Sequence, residues 1–244
     1  MSVSGEGRAD TVQRGRGQFR SPWFPRIGLG VAAALLIGGI ISLAVGEGGP
    51  KPITARGDNA VQELLGGVRQ DGPYVGSPDA PVTIGVFNDL QCSTCRRYQL
   101  HTVDPLIAEY ARGSTARLEF HNFSMGPTDT TVAAYAGTAA GLQGREWQYV
   151  DLFFRKQGQA GPRGVTPQFM NDIANSVPDL DEGEWSKARG SAAVKARVAS
   201  DAKLATSLRL PAQPAVVVTG PGGTRQLDDS PSKADVVTAV RAVS

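Results

Sequence analysis

The chain has 244 residues, 41% of them hydrophobic and 20% charged, with a net charge of +2. That is the composition of a globular chain, and the small positive excess is not gathered into a long Lys/Arg cluster, which argues against nucleic acid as a partner.

Residues 1–26 carry Arg8, Arg14, Arg16, Arg20 and Arg26 against Glu6 and Asp10. Residues 27–45 (IGLGVAAALLIGGIISLAV) then run without a charge, and about 20 apolar residues span a bilayer core. Arginines before the run and sparse charge after it predict a single-pass signal anchor. Residues 1–26 are then cytoplasmic and everything after Val45 lies outside. A cleaved signal peptide is the competing reading, because Ser42-Leu43-Ala44 offers a small-x-small site. Against it, the leader is long and the run exceeds the usual apolar region of up to about 15 residues. Either way, the chain beyond Val45 lies in a compartment where disulfides persist.

Residues 46–73 read as a linker, with Gly/Pro-rich residues 46–59 lacking periodicity and a short helix at 61–65. The folded domain is expected over 74–244, large enough for one good core. Residues 82–87 (VTIGVF) are a β-branched and apolar run, read as a buried strand. A polar turn, Asn88-Asp89-Leu90-Gln91, leads into Cys92-Ser93-Thr94-Cys95, which holds the only two cysteines of the chain. Apolar residues at helical spacing come next, and Pro105 is expected to kink that helix.

The cysteines therefore sit where a strand turns into a helix. Cys92 falls at the helix N-terminus, where unpaired N–H groups and the dipole favour an anion. A thiolate there has a pKa below the free value of about 8.5. Cys95, nearly one turn further in, is placed to attack a mixed disulfide from within. Ser93 and Thr94 offer hydroxyls and backbone N–H groups to the thiolate. Two other readings stand beside redox exchange. Structural zinc needs four ligands, and the remaining candidates, His101 and His121, match no common zinc spacing. A closed, inert disulfide is the other.

Residues 116–123 alternate as a second strand. Residues 130–157 are helical, broken at Gly144, with Val132, Ala133, Ala136, Ala139, Ala140 and Leu142 as an apolar stripe and Trp147 as a core anchor. Thr166-Pro167 starts another helix, Thr as N-cap and Pro first. Residues 181–189 and 191–208 complete a helical block. Trp185, Val194, Val198, Leu204 and Leu208 face inward there, and the Arg/Lys positions read as a solvated face. Strand character returns at 215–219, a Gly/Pro turn allows 224–227 to pair back, and Ser232 to Asp235 opens a final helix with a capping-box pattern.

Read in order, these segments resemble the DsbA-like branch of the thioredoxin superfamily. The resemblance spans 76–243. It is carried by Gly76-Ser77-Pro78-Asp79-Ala80-Pro81-Val82-Thr83-Ile84 and by Phe87-Asn88-Asp89-Leu90-Gln91-Cys92-Ser93-Thr94-Cys95. Gln143-Gly144-Arg145-Glu146-Trp147, Asp151-Leu152-Phe153 and Leu210-Pro211-Ala212-Gln213-Pro214-Ala215-Val216-Val217-Val218 complete it. It implies an α/β thioredoxin fold with a helical domain, about 128–208, inserted between the second strand and a cis-proline strand; the N-terminal transmembrane helix read from residues 27–45 precedes it. It implies a cis bond between Gln213 and Pro214 facing the CxxC, where an extended substrate can pair.

The activity implied is thiol–disulfide exchange with exported proteins through Cys92 and Cys95. No cofactor or metal takes part, and a separate redox partner resets the pair. Reductase or isomerase chemistry at the same site is the nearest rival, and a peptide-binding module the rival of another class. Two departures stand out. Val86 occupies the position, six before the first cysteine, where members often carry a buried acid. Ser93-Thr94 supplies no imidazolium, which predicts a Cys92 pKa lowered less than in the strongest oxidants.

Overall fold

Strand β3 (Val82–Asn88) leads into the turn that carries Cys92. The computed structural model describes residues 56–244 except 126–130, 161–163 and 228; residues 27–45 lie outside the described part. Among the described residues no helix is long and apolar enough to cross a membrane.

A six-stranded sheet is built from β1 (Gln70–Asp71), β2 (Tyr74–Val75), β3, β4 (Ala116–Asn122), β5 (Ala215–Gly220) and β6 (Gly223–Leu227), in the order β1-β2-β4-β3-β5-β6. Strand β3 runs parallel to β4, from Val82 opposite Ala116 to Asn88 opposite Asn122, and antiparallel to β5. Both its faces are covered, which is why it reads as a continuous apolar run rather than an alternating one; Ile84 and Val86 have no exposed surface.

Helix α1 (Arg56–Leu65) packs against the later helix α5 (Glu146–Lys156). Val61 and Leu65, one turn apart, are buried in the core. Within the stretch 46–73 the structure describes α1 and β1, and the Trp147 Nε1–H donates to the Pro73 carbonyl at 2.7 Å.

Helix α2 (Ser93–Tyr98) continues past a short turn, α3 (Asp104–Leu106), with a wider π-type winding over Gln99–Val103 and Ile107–Ala111. The chain passes Pro105 by this change of winding. Pro105 has no N–H to donate, and the Asp104 N–H reaches five residues back to the Gln99 carbonyl.

The helical insertion lies between β4 and β5: α4 (Thr131–Gly141), α5, α6 (Pro167–Asn175), α7 (Glu182–Ala188) and α8 (Ala192–Ser207). Thr166, Asp181 and Ser191 each cap a helix by accepting a backbone N–H three residues on. Gly144, at φ +68°, turns α4 into α5. The predicted stripe of α4 is out of phase at its ends. Val132 and Leu142 are 45% and 59% exposed, while Ala133, Ala136, Ala139 and Ala140 are buried. Those alanines admit Trp185, whose Nε1–H donates to the Ala136 carbonyl at 2.8 Å. Leu204, also expected inside, is 38% exposed. Helix α9 (Lys233–Val243) begins with a complete Ser232/Asp235 capping box and packs on β5 and β6.

Candidate active site

Asp89 organises the turn after β3. Its Oδ1 accepts the Gln91 N–H at 2.8 Å, and its carbonyl accepts the Cys92 N–H at 3.1 Å. The turn is held from the insertion as well. Gln157 Nε2, just past α5, donates to the Leu90 carbonyl, and Arg96 Nε donates to the Phe154 carbonyl at 2.7 Å.

Cys92 is the N-cap of α2, with extended backbone (φ −84°, ψ 121°), and its Sγ accepts the Cys95 N–H at 3.2 Å. That role belongs to Ser, Thr, Asp or Asn in most helices; a sulfur in it is an acceptor improved by carrying charge. Cys92 is half-buried, Cys95 is fully buried, and both thiols are free. The Cys92 pKa is lowered from 9.0 to about 6, first by the Cys95 thiol donating to it, then by the Cys95 and Thr94 backbone N–H groups; burial and the Asp89 carboxylate oppose this. Cys95 is pushed far up, because its proton is held by Cys92, because it is buried, and because Asp89 lies near. The pair thus presents an outer thiolate above an inner thiol.

The dipeptide between the cysteines acts through its backbone. Thr94 supplies an N–H to the thiolate, while its Oγ1 accepts from the Arg97 guanidinium at 3.3 Å. Ser93 is exposed in the first turn.

The Gln213–Pro214 peptide is cis. Strand β5 pairs Ala215 with Phe87, so Pro214, at its entry, stands level with Asn88 at the end of β3. Gln213 is part of the active-site frame. Its Nε2 donates to Asp89 Oδ2 at 3.3 Å, and its Oε1 accepts the Met125 N–H at 2.9 Å. One side chain joins the cis-proline loop, the turn before Cys92 and the end of β4.

Val86 is fully buried between Phe120 and Val216 on the neighbouring strands. Asp89 is the acid whose charge reaches both thiols.

Arg197, one of the Arg/Lys positions expected on a solvated face, is half-buried in an ion-pair cluster. Asp201 of α8 holds His121 Nδ1 at 2.9 Å, Arg197 Nε at 3.1 Å and the Asn122 N–H at 3.1 Å. His121 stacks on Phe87 at 4.4 Å, beside Gly85, where an added Cβ would stand 3.3 Å from the Val217 carbonyl oxygen. Burial resists its protonation, but Asp201 and Glu119 raise its pKa overall. Its partner in the zinc reading, His101, is exposed on the π-wound segment. In the helix beyond Cys95, Asp104 shares Arg155 with Asp151, and burial with the Asp151 charge pushes Asp104 up to about 8.

The thioredoxin family matches residues 69–237. The probable disulfide bond formation protein D of Bacillus anthracis is 28% identical over 149 residues, 60% of this chain and 69% of that one. Disulfide bond formation protein D of Bacillus subtilis strain 168 is 22% identical over 148 residues, 60% and 67% of the two chains. Among solved structures, oxidised BdbD from Bacillus subtilis superposes with a TM-score of 0.61 at 18% identity over 71% of this chain and 95% of its own. Pseudomonas aeruginosa DsbA2 gives 0.57 at 20% identity over 71% and 94%. The structural likeness establishes the fold, a thioredoxin-type α/β sheet carrying helices. With more than half its length inside the matched span, the chain belongs to the thioredoxin family.

Proposed function

We propose that the protein forms disulfides in exported polypeptides on the outer side of the cytoplasmic membrane, tethered by residues 27–45. The chain is a thiol–disulfide oxidoreductase, as its disulfide-bond-formation relatives indicate. In its oxidised state a substrate thiolate attacks Cys92 Sγ, and Cys95 leaves with the electron pair and takes up a proton. A second substrate thiolate then attacks the substrate sulfur of the mixed disulfide. The substrate leaves oxidised and the protein holds two reduced thiols. Electrons stay on sulfur, so no cofactor is required, and a separate redox partner must reset the pair.

The observation that carries the direction is the Cys92 Sγ at the helix N-cap, held as thiolate by the Cys95 thiol and two N–H groups. Stabilising the reduced form makes the disulfide the better oxidant. The location is supported by the uncharged run at 27–45 and the five arginines before it. The assignment is tested by replacing Cys95 with alanine in the full-length chain. Mixed disulfides through Cys92 with exported proteins are expected, and trapping none counts against it. A measured reduction potential well below the glutathione range would turn the reading to a reductase.

A further inference from the structure

Arg97, in the helix that begins at the CxxC, is exposed. Among the described residues, Arg145, Arg155 and Arg197 each pair with a carboxylate, and Arg96 donates to the Phe154 carbonyl at 2.7 Å. Arg97 does neither. Its guanidinium donates to the Thr94 hydroxyl at 3.3 Å, back along the helix towards Cys92. Helical side chains lean towards the N-terminus, and this bond fixes that lean. Thr94 lies about 3 Å along the helix axis from Cys92, and its N–H already serves the Cys92 sulfur. The guanidinium is thereby held close to the reacting sulfur. An arginine has several N–H donors in a planar fork, and one acceptor in the fold leaves most of them for a ligand.

The acids of the site lie elsewhere. Asp89 is buried, one of its oxygens taken by the Gln91 N–H and the other by Gln213. Asp235, whose charge reaches Tyr98, is held in the Ser232 capping box. Asp229 is exposed next to Ser230, whose N–H donates to the Pro214 carbonyl, so its charge belongs to the cis-proline side. The helix side of the reacting sulfur presents a fixed cation and the exposed Ser93.

We propose that Arg97 is a specificity-determining residue, favouring substrate segments that carry an Asp or Glu close in sequence to the reacting cysteine. An extended segment advances about 3.3 Å per residue, so a carboxylate two or three positions from the substrate cysteine reaches a cation about one helical turn from Cys92. A charge at this distance acts on encounter and orientation, while the sulfur chemistry is unchanged: the substrate thiolate attacks Cys92 Sγ, and Cys95 leaves with the electron pair and takes up a proton. The inference rests on the oxidoreductase reading and adds a substrate class to it, acid-flanked cysteines in exported polypeptides.

The experiment uses the oxidised full-length chain in a non-ionic detergent and single-cysteine peptides with Glu, Gln or Lys at each of the nearest positions on either side of the cysteine. Rates are taken at about 0.01 M and about 1 M salt, where charges are screened over about 30 and 3 Å. Each rate is divided by the same peptide's rate with a small uncharged disulfide, which removes the effect of the flanking charge on the peptide's own thiol. At low salt at least one position is expected to favour Glu over Gln about threefold, as one exposed ion pair would, with Lys below Gln. At high salt the ratio falls to near one. Arg97→Gln abolishes the preference, Arg97→Glu turns it towards Lys, and Arg97→Lys keeps it. Thr94→Val weakens it by releasing the guanidinium. Arg225→Gln, the same change of net charge at an exposed position on β6, leaves it intact. A Glu-to-Gln ratio of one at low salt overturns the proposal and leaves the oxidoreductase standing. So does a ratio that survives Arg97→Gln, or one that is lost in Arg225→Gln. No exchange with any peptide overturns the oxidoreductase itself. The peptide series on the unsubstituted protein needs no variant, so a substitution that fails to fold leaves that arm of the test intact.

Discussion

Gln213 and Asp89 stand 124 residues apart in sequence, and their side chains meet at 3.3 Å. Through that contact the cis-proline loop and the turn before Cys92 are held as one frame, and the same carboxylate sets a ceiling on how far the Cys92 thiolate is stabilised.

Removing that charge while keeping the shape is a direct test. In Asp89→Asn the amide oxygen still accepts from Gln91, but the anion that disfavours both thiolates is gone. The Cys92 pKa should fall below its value of about 6, and the disulfide should become more oxidising. Thiolate absorbance against pH measures it; a rise in the Cys92 pKa contradicts this account of Asp89.

The inner thiol is the largest influence on the outer one. Cys95→Ala removes the S–H donor and keeps the backbone N–H. The Cys92 pKa is expected to climb from about 6 towards its ordinary 9.0, and alkylation at neutral pH to slow accordingly. An unchanged rate would show that the helix N-terminus alone holds the thiolate.

The pH dependence of the reduced protein carries a defined sign. Cys92 binds its proton more weakly folded than unfolded, so the stability it adds is complete above about 9.0 and is lost as pH falls through about 6. Cys95 acts in the opposite sense above its ordinary 9.0, where the unfolded chain would ionise and the folded one does not. The melting temperature of reduced protein, minus that of a Cys92→Ser variant, should therefore rise between pH 6 and 9. A flat difference over that window would falsify the lowered pKa.

Asp201 gathers three donors in a buried place. Asp201→Ala removes the acceptor of the Asn122 N–H and leaves the His121 imidazole and the Arg197 guanidinium with Glu119 alone, at 3.5 and 3.9 Å, a loss of about 3 kcal/mol for a broken buried pair. Denaturant unfolding reads it directly. A cost below about 1 kcal/mol would mark the cluster as solvated, as an exposed pair would be.

Whether α1 is part of the folded unit is decided by Leu65. Fully buried, it should cost about 2–4 kcal/mol when cut to alanine. A neutral substitution would leave residues 56–73 as linker.

The parts of this molecule that were legible in its sequence are those written in short spans. Caps at Thr166 and Ser232 show because a side-chain oxygen meets an N–H three residues away. The cysteines show because they are near neighbours in the chain. Two-residue strands such as Gln70–Asp71 have no period to detect. The stripe of α4 drifted because alanine is at home on either face, so the larger Val132 and Leu142 pulled the inferred phase towards themselves. Contacts between distant residues left no trace: Asp89 with Gln213, His121 with Asp201, Arg155 with Asp104. The pairing of each with its partner is made by the fold, not by any spacing along the chain.

The two bonds at α5 and its end, Gln157 donating to the Leu90 carbonyl and Arg96 donating to the Phe154 carbonyl, give the insertion a second role. It is not a lid added to a finished active site but one of the walls that site is hung from. A minimal sheet-and-helix core cut from this chain would keep both cysteines and the cis proline, yet its CxxC turn would have lost half its suspension. Lengthening or shortening α5 by a turn would act as a tuning screw on Cys92 without touching the catalytic residues.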